Sequence, residues 1–120
     1  MTKEVGRVSA HIVSLLGSTL QQDQPIYLGT SNIAHMQKRH PHDYAKYGRY
    51  ISQILAQPDY VGENPKDGSI EYVKEFMVEK EYVKIAIRIS GNGALFVRSL
   101  YVLNQNRVKN FIAKGTLKKV

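Results

Sequence analysis

Three of the chain's four histidines lie in one short segment, Asn32 to Tyr44, together with Lys38 and Arg39. Histidine is the side chain whose ordinary pKa, about 6.5, suits acid–base catalysis near neutral pH. Neighbouring lysine and arginine side chains could hold a phosphate group by charge-assisted hydrogen bonds. The segment therefore predicts proton transfer beside a bound phosphate, which is the chemistry of metal-free RNA cleavage.

Within this segment, His35 and His40 are the two candidate proton-transfer groups. Residues five apart on an α-helix are rotated by about 140°, so the two histidines do not share a face, whereas His35 and Arg39 do. Pro41 disfavours helix in the residue before it, so His40 is expected at the helix end, where its side chain could turn toward the same cleft. The alternative is a surface helix with no catalytic role.

The sequence predicts no metal site and no cofactor. Cysteine is absent, and the histidine segment lacks the i, i+4 pair of a helical metal site. No apolar run reaches the roughly 20 residues needed to span a bilayer, and the N-terminus lacks the layout of a signal peptide. We therefore expect a cytoplasmic protein with no membrane partner.

A net charge of +7 over 120 residues favours a polyanion as the partner. The positive charge is concentrated in two basic blocks, residues 35–50 and residues 98–120, and the stretch between them is slightly acidic. If the fold brings the blocks together, they would form one RNA-binding surface. A solubilising excess of charge is the alternative. The length fits a single domain, 1–120.

The apolar pattern predicts helices first and strands afterwards. Helices are expected over Ser9–Gly17, from Thr30 or Ser31 to His40, and around 47–55. A short strand is expected at 25–29, and from Tyr60 the period changes to two, which predicts an antiparallel meander near 70–77, 82–89 and 94–103. A basic helix follows over 104–115. The pattern indicates an α+β fold, with N-terminal helices packed on a roughly four-stranded antiparallel sheet.

The predicted middle strand alternates cleanly. Its apolar residues Val83, Ile85 and Ile87 point one way, and Lys84 and Arg88 point the other. We therefore expect helices to cover the first face, and Lys84 and Arg88 to be exposed on a binding surface.

The last strand of the meander carries polar residues inside an apolar run. Arg98, Ser99 and Tyr101 are these residues, and buried polar groups need partners. Because successive side chains alternate, either Arg98 or the pair Ser99 and Tyr101 is expected to face the ligand. An ordinary structural hydrogen bond is the alternative.

Taken in order, these segments resemble the phage-associated domains of the barnase, EndoU, colicin and RelE-like nuclease fold. The likeness covers roughly Pro25 to Gly115, and its carriers are the helix ending in "RHP", the strand entry "PDYVG" and the strand "RSLYVLN". The resemblance implies a helical N-terminal part on a four-stranded antiparallel sheet, with an open face that cuts RNA without metal. It also implies kinship with toxins of mobile elements, and thus an antitoxin or immunity protein as a second partner.

The leading expectation is an endoribonuclease. His35 or His40 would take the proton of a ribose 2′-hydroxyl, and the other histidine or Tyr101 would protonate the leaving 5′-oxygen. Cations would stabilise the charge that grows on the phosphoryl oxygens. The candidate catalytic residues are His40, His35, Arg88, Ser99 and Tyr101. The candidate nucleic-acid contacts are Lys38, Arg39, Lys84, Arg98 and Lys109.

Tyrosine makes up eight of the chain's eleven aromatic residues, and Tyr44, Tyr47 or Tyr72 could stack a splayed base. The alternative from another functional class is a non-catalytic module that binds nucleic acid or a protein partner. Only the enzyme would produce fragments ending in cyclic phosphate in the presence of a chelator.

Overall fold

The computed structural model describes residues 1–17 and 20–120, and this part of the chain contains seven strands and five α-helices. The strands are β1 (Thr2–Arg7), β2 (Pro25–Gly29), β3 (Tyr60–Glu63), β4 (Ile70–Phe76), β5 (Glu81–Ile89), β6 (Leu95–Leu103) and β7 (Leu117–Lys119). The helices are α1 (Ala10–Leu16), α2 (Thr30–Arg39), α3 (Pro41–Tyr47), α4 (Ile51–Ala56) and α5 (Gln105–Ala113).

All seven strands form one sheet in the order β1-β2-β6-β5-β4-β3-β7. The predicted meander is confirmed, since β4, β5 and β6 pair antiparallel in sequence order. The predicted α+β class is also confirmed, but the predicted number of about four strands was wrong. Strands β1 and β7 lengthen the sheet at its two edges, and β2 joins it by a short parallel pairing with β6, so the sheet is mixed.

One face of the sheet, which we call the inner face, carries the main core. As predicted, Val83, Ile85 and Ile87 of β5 are buried there against the helices. Helices α1 and α4 supply Ile12 and Ile54 to the same cluster. Burying each such side chain contributes about 1.5–3 kcal/mol relative to leaving it exposed, so this cluster determines how the helices lie on the sheet.

Helix α2 starts directly where β2 ends. Gly29 is the N-cap, and its backbone amide donates to Asn32 Oδ1 at 2.8 Å. The helix was expected to be capped by Thr30 or Ser31, so it begins slightly earlier than predicted. Because β2 pairs with β6 only near the start of β6, the later part of that edge is free to contact α2 and α3. The amide of Val102 on this edge donates to Asp43 Oδ2 of α3 at 3.1 Å.

The third predicted helix, around 47–55, is found as a 3₁₀ turn over Gly48–Tyr50 followed by α4, and α3 precedes it as a helix that was not predicted. Pro41 occupies the first position of α3, where a missing amide proton costs nothing. A Cβ atom at Gly48 would lie 2.9 Å from Cζ of Tyr44, so a larger residue there would displace that ring from its packing on the turn.

Candidate functional site

An open cleft of about 360 Å³ lies on the outer face of β4, β5 and β6. Helix α2 forms one wall, and the loop between β3 and β4 forms the other. The lining residues are His35, Met36, Arg39, His40, Asn64, Asp67, Ser69, Glu71, Lys84, Ala86, Arg98, Ser99 and Tyr101. Residues from four separate stretches of the sequence therefore meet in one concave site.

The floor of the cleft contains an ion pair between neighbouring strands. Lys84 Nζ lies 2.7 Å from Glu71 Oε2, and the two residues are 7% and 4% exposed. Lys84 points to the outer face as predicted, but the expectation that it is exposed was wrong, because Glu71 and Tyr101 cover it. Burial lowers the pKa of Lys84, but its hydrogen bonds to Glu71 and Tyr101 outweigh burial and raise that pKa above its ordinary value. The Lys84 ammonium therefore stays charged in the floor, where the Glu71 carboxylate balances it.

Tyr101 connects this ion pair to the first wall. Its ring centroid lies 4.8 Å from Lys84 Nζ. On the other side, the His40 imidazole stacks on the same ring, with centroids 4.8 Å apart and planes inclined by 26°. Side chains from three strands and from the end of α2 thus form a continuous series, in the order Glu71, Lys84, Tyr101 and His40.

The two candidate histidines both reach the cleft, from different backbone settings. His35 is exposed on α2, one turn before Arg39. His40 follows the last residue of α2, with φ −139° and ψ 65°, and its amide donates to the carbonyl of Met36 at 2.9 Å. The departure of His40 from helical geometry is the turn toward the cleft that Pro41 predicts.

A β-bulge brings Arg98 into the cleft beside Ser99 and Tyr101. Ile87 of β5 pairs with Val97, whereas Ala86 pairs with Ser99, so Arg98 is the extra residue. The expectation that only Arg98 or only the Ser99 and Tyr101 pair would face the ligand was wrong. The bulge interrupts the alternation, and all three side chains line the same cleft.

The acidic neighbour of Arg98 holds it loosely. Its Nη1 lies 3.7 Å from Asp67 Oδ2, and both side chains are nearly half exposed. The pKa of Asp67 is lowered mainly by hydrogen bonds from Ser69, with a smaller effect from Arg98. An exposed pair of this kind contributes little to stability, so Arg98 remains available to an incoming anion.

Three of the predicted site residues, the catalytic candidate Arg88 and the contact candidates Lys38 and Lys109, lie outside this cleft. Arg88 lines an adjoining groove, which it shares with Arg98 and Asp67. Lys38 on α2 and Lys109 on α5 are exposed, but neither lines the cleft.

The tyrosines expected to stack a base are also elsewhere. Tyr47 and Tyr72 are each 1% exposed in the inner core, which rules out base stacking in this structure. Tyr44 is partly buried and lines a different groove, between α2 and α3.

Sequence reasoning missed the acidic side of the cleft. Glu71 interrupts the apolar run from Ile70 to Val73, and antiparallel pairing of β4 with β5 brings it to the same face as Lys84. A glutamate inside an apolar run could have been recognised from the sequence as a candidate site residue. Asn64, Asp67 and Ser69 lie in a loop with no periodic pattern, so only the structure reveals them.

Within the described residues, no group of three or more histidine, cysteine, aspartate or glutamate side chains is arranged to hold a metal ion. No helix in that part of the chain is long and apolar enough to cross a membrane.

Comparison with known families finds a match that covers most of the chain. The sequence model described as phage-Barnase-EndoU-ColicinE5/D-RelE like nuclease3 matches residues 3–110. The match includes every residue that lines the cleft. No curated protein and no solved structure matches the chain.

Proposed function

Because the chain belongs to this family of phage-Barnase-EndoU-ColicinE5/D-RelE like nucleases, we propose that its outer cleft is the active site of an endoribonuclease that needs no metal ion. One observation supports this most strongly. The proton-transfer groups His35 and His40 share a single cleft with the cations Lys84 and Arg98, although the two pairs lie far apart in the sequence. Family membership accounts for the phosphodiester substrate, and the histidines favour attack by a ribose hydroxyl.

The proposed reaction is an internal phosphoryl transfer. A base removes the proton of the 2′-hydroxyl, the 2′-oxygen forms a bond to the adjacent phosphorus, and the bond from phosphorus to the 5′-oxygen breaks. An acid gives a proton to that leaving oxygen. The products are a 2′,3′-cyclic phosphate and a 5′-hydroxyl, so protons and electrons balance without a metal ion or a redox partner.

We assign the principal proton-transfer role to His40. It is partly buried and held against Tyr101, whereas His35 is exposed and has no comparable ring contact among the described residues. His35 then supplies the second proton transfer. Glu71 is a further group that could act as the base, since its carboxylate lies in the cleft floor.

Positive charge in the cleft stabilises the transition state. Lys84 is held in place by Glu71, and Arg39 on the α2 wall and Arg98 on β6 both have exposed side chains. Preorganised donors that face a developing negative charge are worth about 10²–10³ in rate each. Ser99 adds a hydroxyl beside Arg98 that can donate to a phosphoryl oxygen.

An end-labelled RNA pool incubated with the protein and a chelator tests this function. We expect fragments that end in 2′,3′-cyclic phosphate, and no cutting at a linkage whose 2′-hydroxyl has been replaced by hydrogen. A wild-type rate for Glu71→Gln in the same assay would exclude the carboxylate as the base, whereas a loss would not identify it, because Glu71 also holds Lys84 in place. RNA that is bound but never cut would contradict the enzyme and favour a non-catalytic nucleic-acid-binding module.

A further inference from the structure

We propose that Tyr101 is a positioning residue, which holds the His40 imidazole in the cleft by ring stacking and does not itself transfer a proton. The inference rests on the proposed function of the cleft. It also changes the expected role of Tyr101, which the sequence had suggested as a proton donor.

The first argument is that α2 alone does not fix the His40 side chain. His40 lies beyond the last residue of the helix, with non-helical φ and ψ, so the regular packing of a helical turn does not constrain its rotamer. The Tyr101 ring, with its centroid 4.8 Å away, supplies the missing constraint. A stacked imidazole presents its ring nitrogens at its edge, where substrate can reach them.

The second argument is that Tyr101 is itself held from two sides. Its ring packs against a small outer cluster that includes Leu103 of β6 and Val108 of α5. Lys84 lies directly across the β5–β6 pairing, and its ammonium is fixed near the ring by Glu71. A ring restrained in this way can hold the His40 imidazole in one position.

A third argument concerns the Tyr101 hydroxyl. It contributes, with Glu71, to holding the Lys84 ammonium charged. The group that meets His40 is the face of the ring, so the stacking contact does not need the hydroxyl. Phenylalanine therefore retains the positioning role, whereas leucine does not.

The kinetic experiment compares Tyr101→Phe with Tyr101→Leu on a single RNA substrate. We expect Tyr101→Phe to keep kcat within about threefold of the wild type, and Tyr101→Leu to lower kcat about tenfold with KM within about twofold. Tyr82→Leu is the matched control, because Tyr82 packs against the same outer cluster without stacking on His40. It should leave kcat near the wild-type value.

Coupling to His40 separates positioning from an independent effect. In a His40→Ala background, Tyr101→Leu should lower kcat by no more than about twofold, since the side chain that it positions is gone. An equal tenfold loss in both backgrounds would overturn the proposal. So would a loss in Tyr101→Phe as large as that in His40→Ala, because the hydroxyl would then perform chemistry itself.

A spectroscopic measurement tests the stack without using activity. The proton resonances of the His40 ring, identified by their loss in His40→Ala, should be displaced upfield by the Tyr101 ring current. The displacement should persist in Tyr101→Phe and Tyr82→Leu and disappear in Tyr101→Leu. Absence of any displacement in the wild type overturns the positioning role, whereas a displaced resonance in a protein that cuts no RNA contradicts only the proposed function.

Discussion

At the scale of single residues, the structure separates two buried tyrosines by what their hydroxyls contact. Tyr47 and Tyr72 are both 1% exposed. The Tyr47 hydroxyl donates to Glu81 Oε1 at 2.5 Å, but the Tyr72 hydroxyl has no hydrogen-bond partner within the described residues. Burial raises the pKa of both, that of Tyr72 to about 12, and the Glu81 carboxylate adds to the effect on Tyr47.

This difference predicts opposite results from the same substitution. Tyr72→Phe should leave the free energy of unfolding unchanged or raise it by up to about 1 kcal/mol, because it removes an unpaired buried hydroxyl. Tyr47→Phe should lower it by about 1–2 kcal/mol, since a hydrogen bond to a carboxylate is lost. Urea unfolding of the two variants measures both effects. Equal destabilisation would mean that the Tyr72 hydroxyl has a partner.

At the scale of elements, the bulge in β6 changes which side chains can meet the substrate. Before the bulge Leu95 and Val97 point into the inner core, and after it Leu100 does the same. Ser99 and Tyr101 lie on the outer face. This arrangement is possible because Arg98 is an extra residue between Val97 and Ser99, which shifts the alternation by one position. Removing Arg98 from the sequence would therefore leave a strand that alternates regularly.

We predict that a deletion of Arg98 folds, at a cost of no more than about 1–2 kcal/mol, because no core residue changes face. A deletion of Leu100 should unfold the protein, since it removes a core residue and moves every later side chain to the opposite face. Thermal unfolding followed by circular dichroism distinguishes the two. Arg98→Ala, which keeps the bulge, shows how much of any activity loss comes from the missing cation.

Failure of the Arg98 deletion to fold, with Arg98→Ala stable, would mean that the bulge is needed for packing and not only for placing a charge.

The same scale shows what the sequence could and could not predict. The three strands of the meander were found because their apolar residues alternate strongly. Strand β1 was missed because Val5 is the single large apolar residue within Thr2–Arg7, and an edge strand needs no regular pattern. The bulge at Arg98 could not be predicted, since an extra residue is detectable only once the register with β5 is known. The position of His40 at the end of α2 could be predicted, because Pro41 restricts the backbone conformation of the residue before it.

At the scale of the whole molecule, the fold brings residues from both basic blocks to one cleft. Arg39 comes from the first block and Arg98 from the second, and both line it. Other members of the blocks lie elsewhere, as Arg49 does in the groove between α2 and α3. Net charge alone therefore overstates the surface available to RNA.

We predict that RNA affinity falls steeply with salt, because each neutralised phosphate releases counterions. Arg39→Ala and Arg98→Ala should each reduce the slope of log affinity against log salt by about one. Arg49→Ala is the matched control, an arginine removed from the first block but outside the cleft, and it should leave the slope unchanged. Fluorescence anisotropy with a labelled RNA measures all three.

The same titration on Lys38→Ala and Lys109→Ala shows whether bound RNA extends beyond the cleft along α2 or α5. Equal slopes for the wild type and the two cleft variants would place the RNA on another surface.

The rate of RNA cleavage by His40→Ala, measured in the presence of a chelator beside the wild type and His35→Ala, tests the central claim most directly. We predict that His40→Ala lowers the rate by about 100-fold or more, the scale of losing a general acid or base, with RNA affinity within a few-fold of the wild type. The pH dependence of the wild-type rate should contain a limb that disappears in this variant. If His40→Ala and His35→Ala both cut RNA at the wild-type rate, the histidine mechanism is wrong.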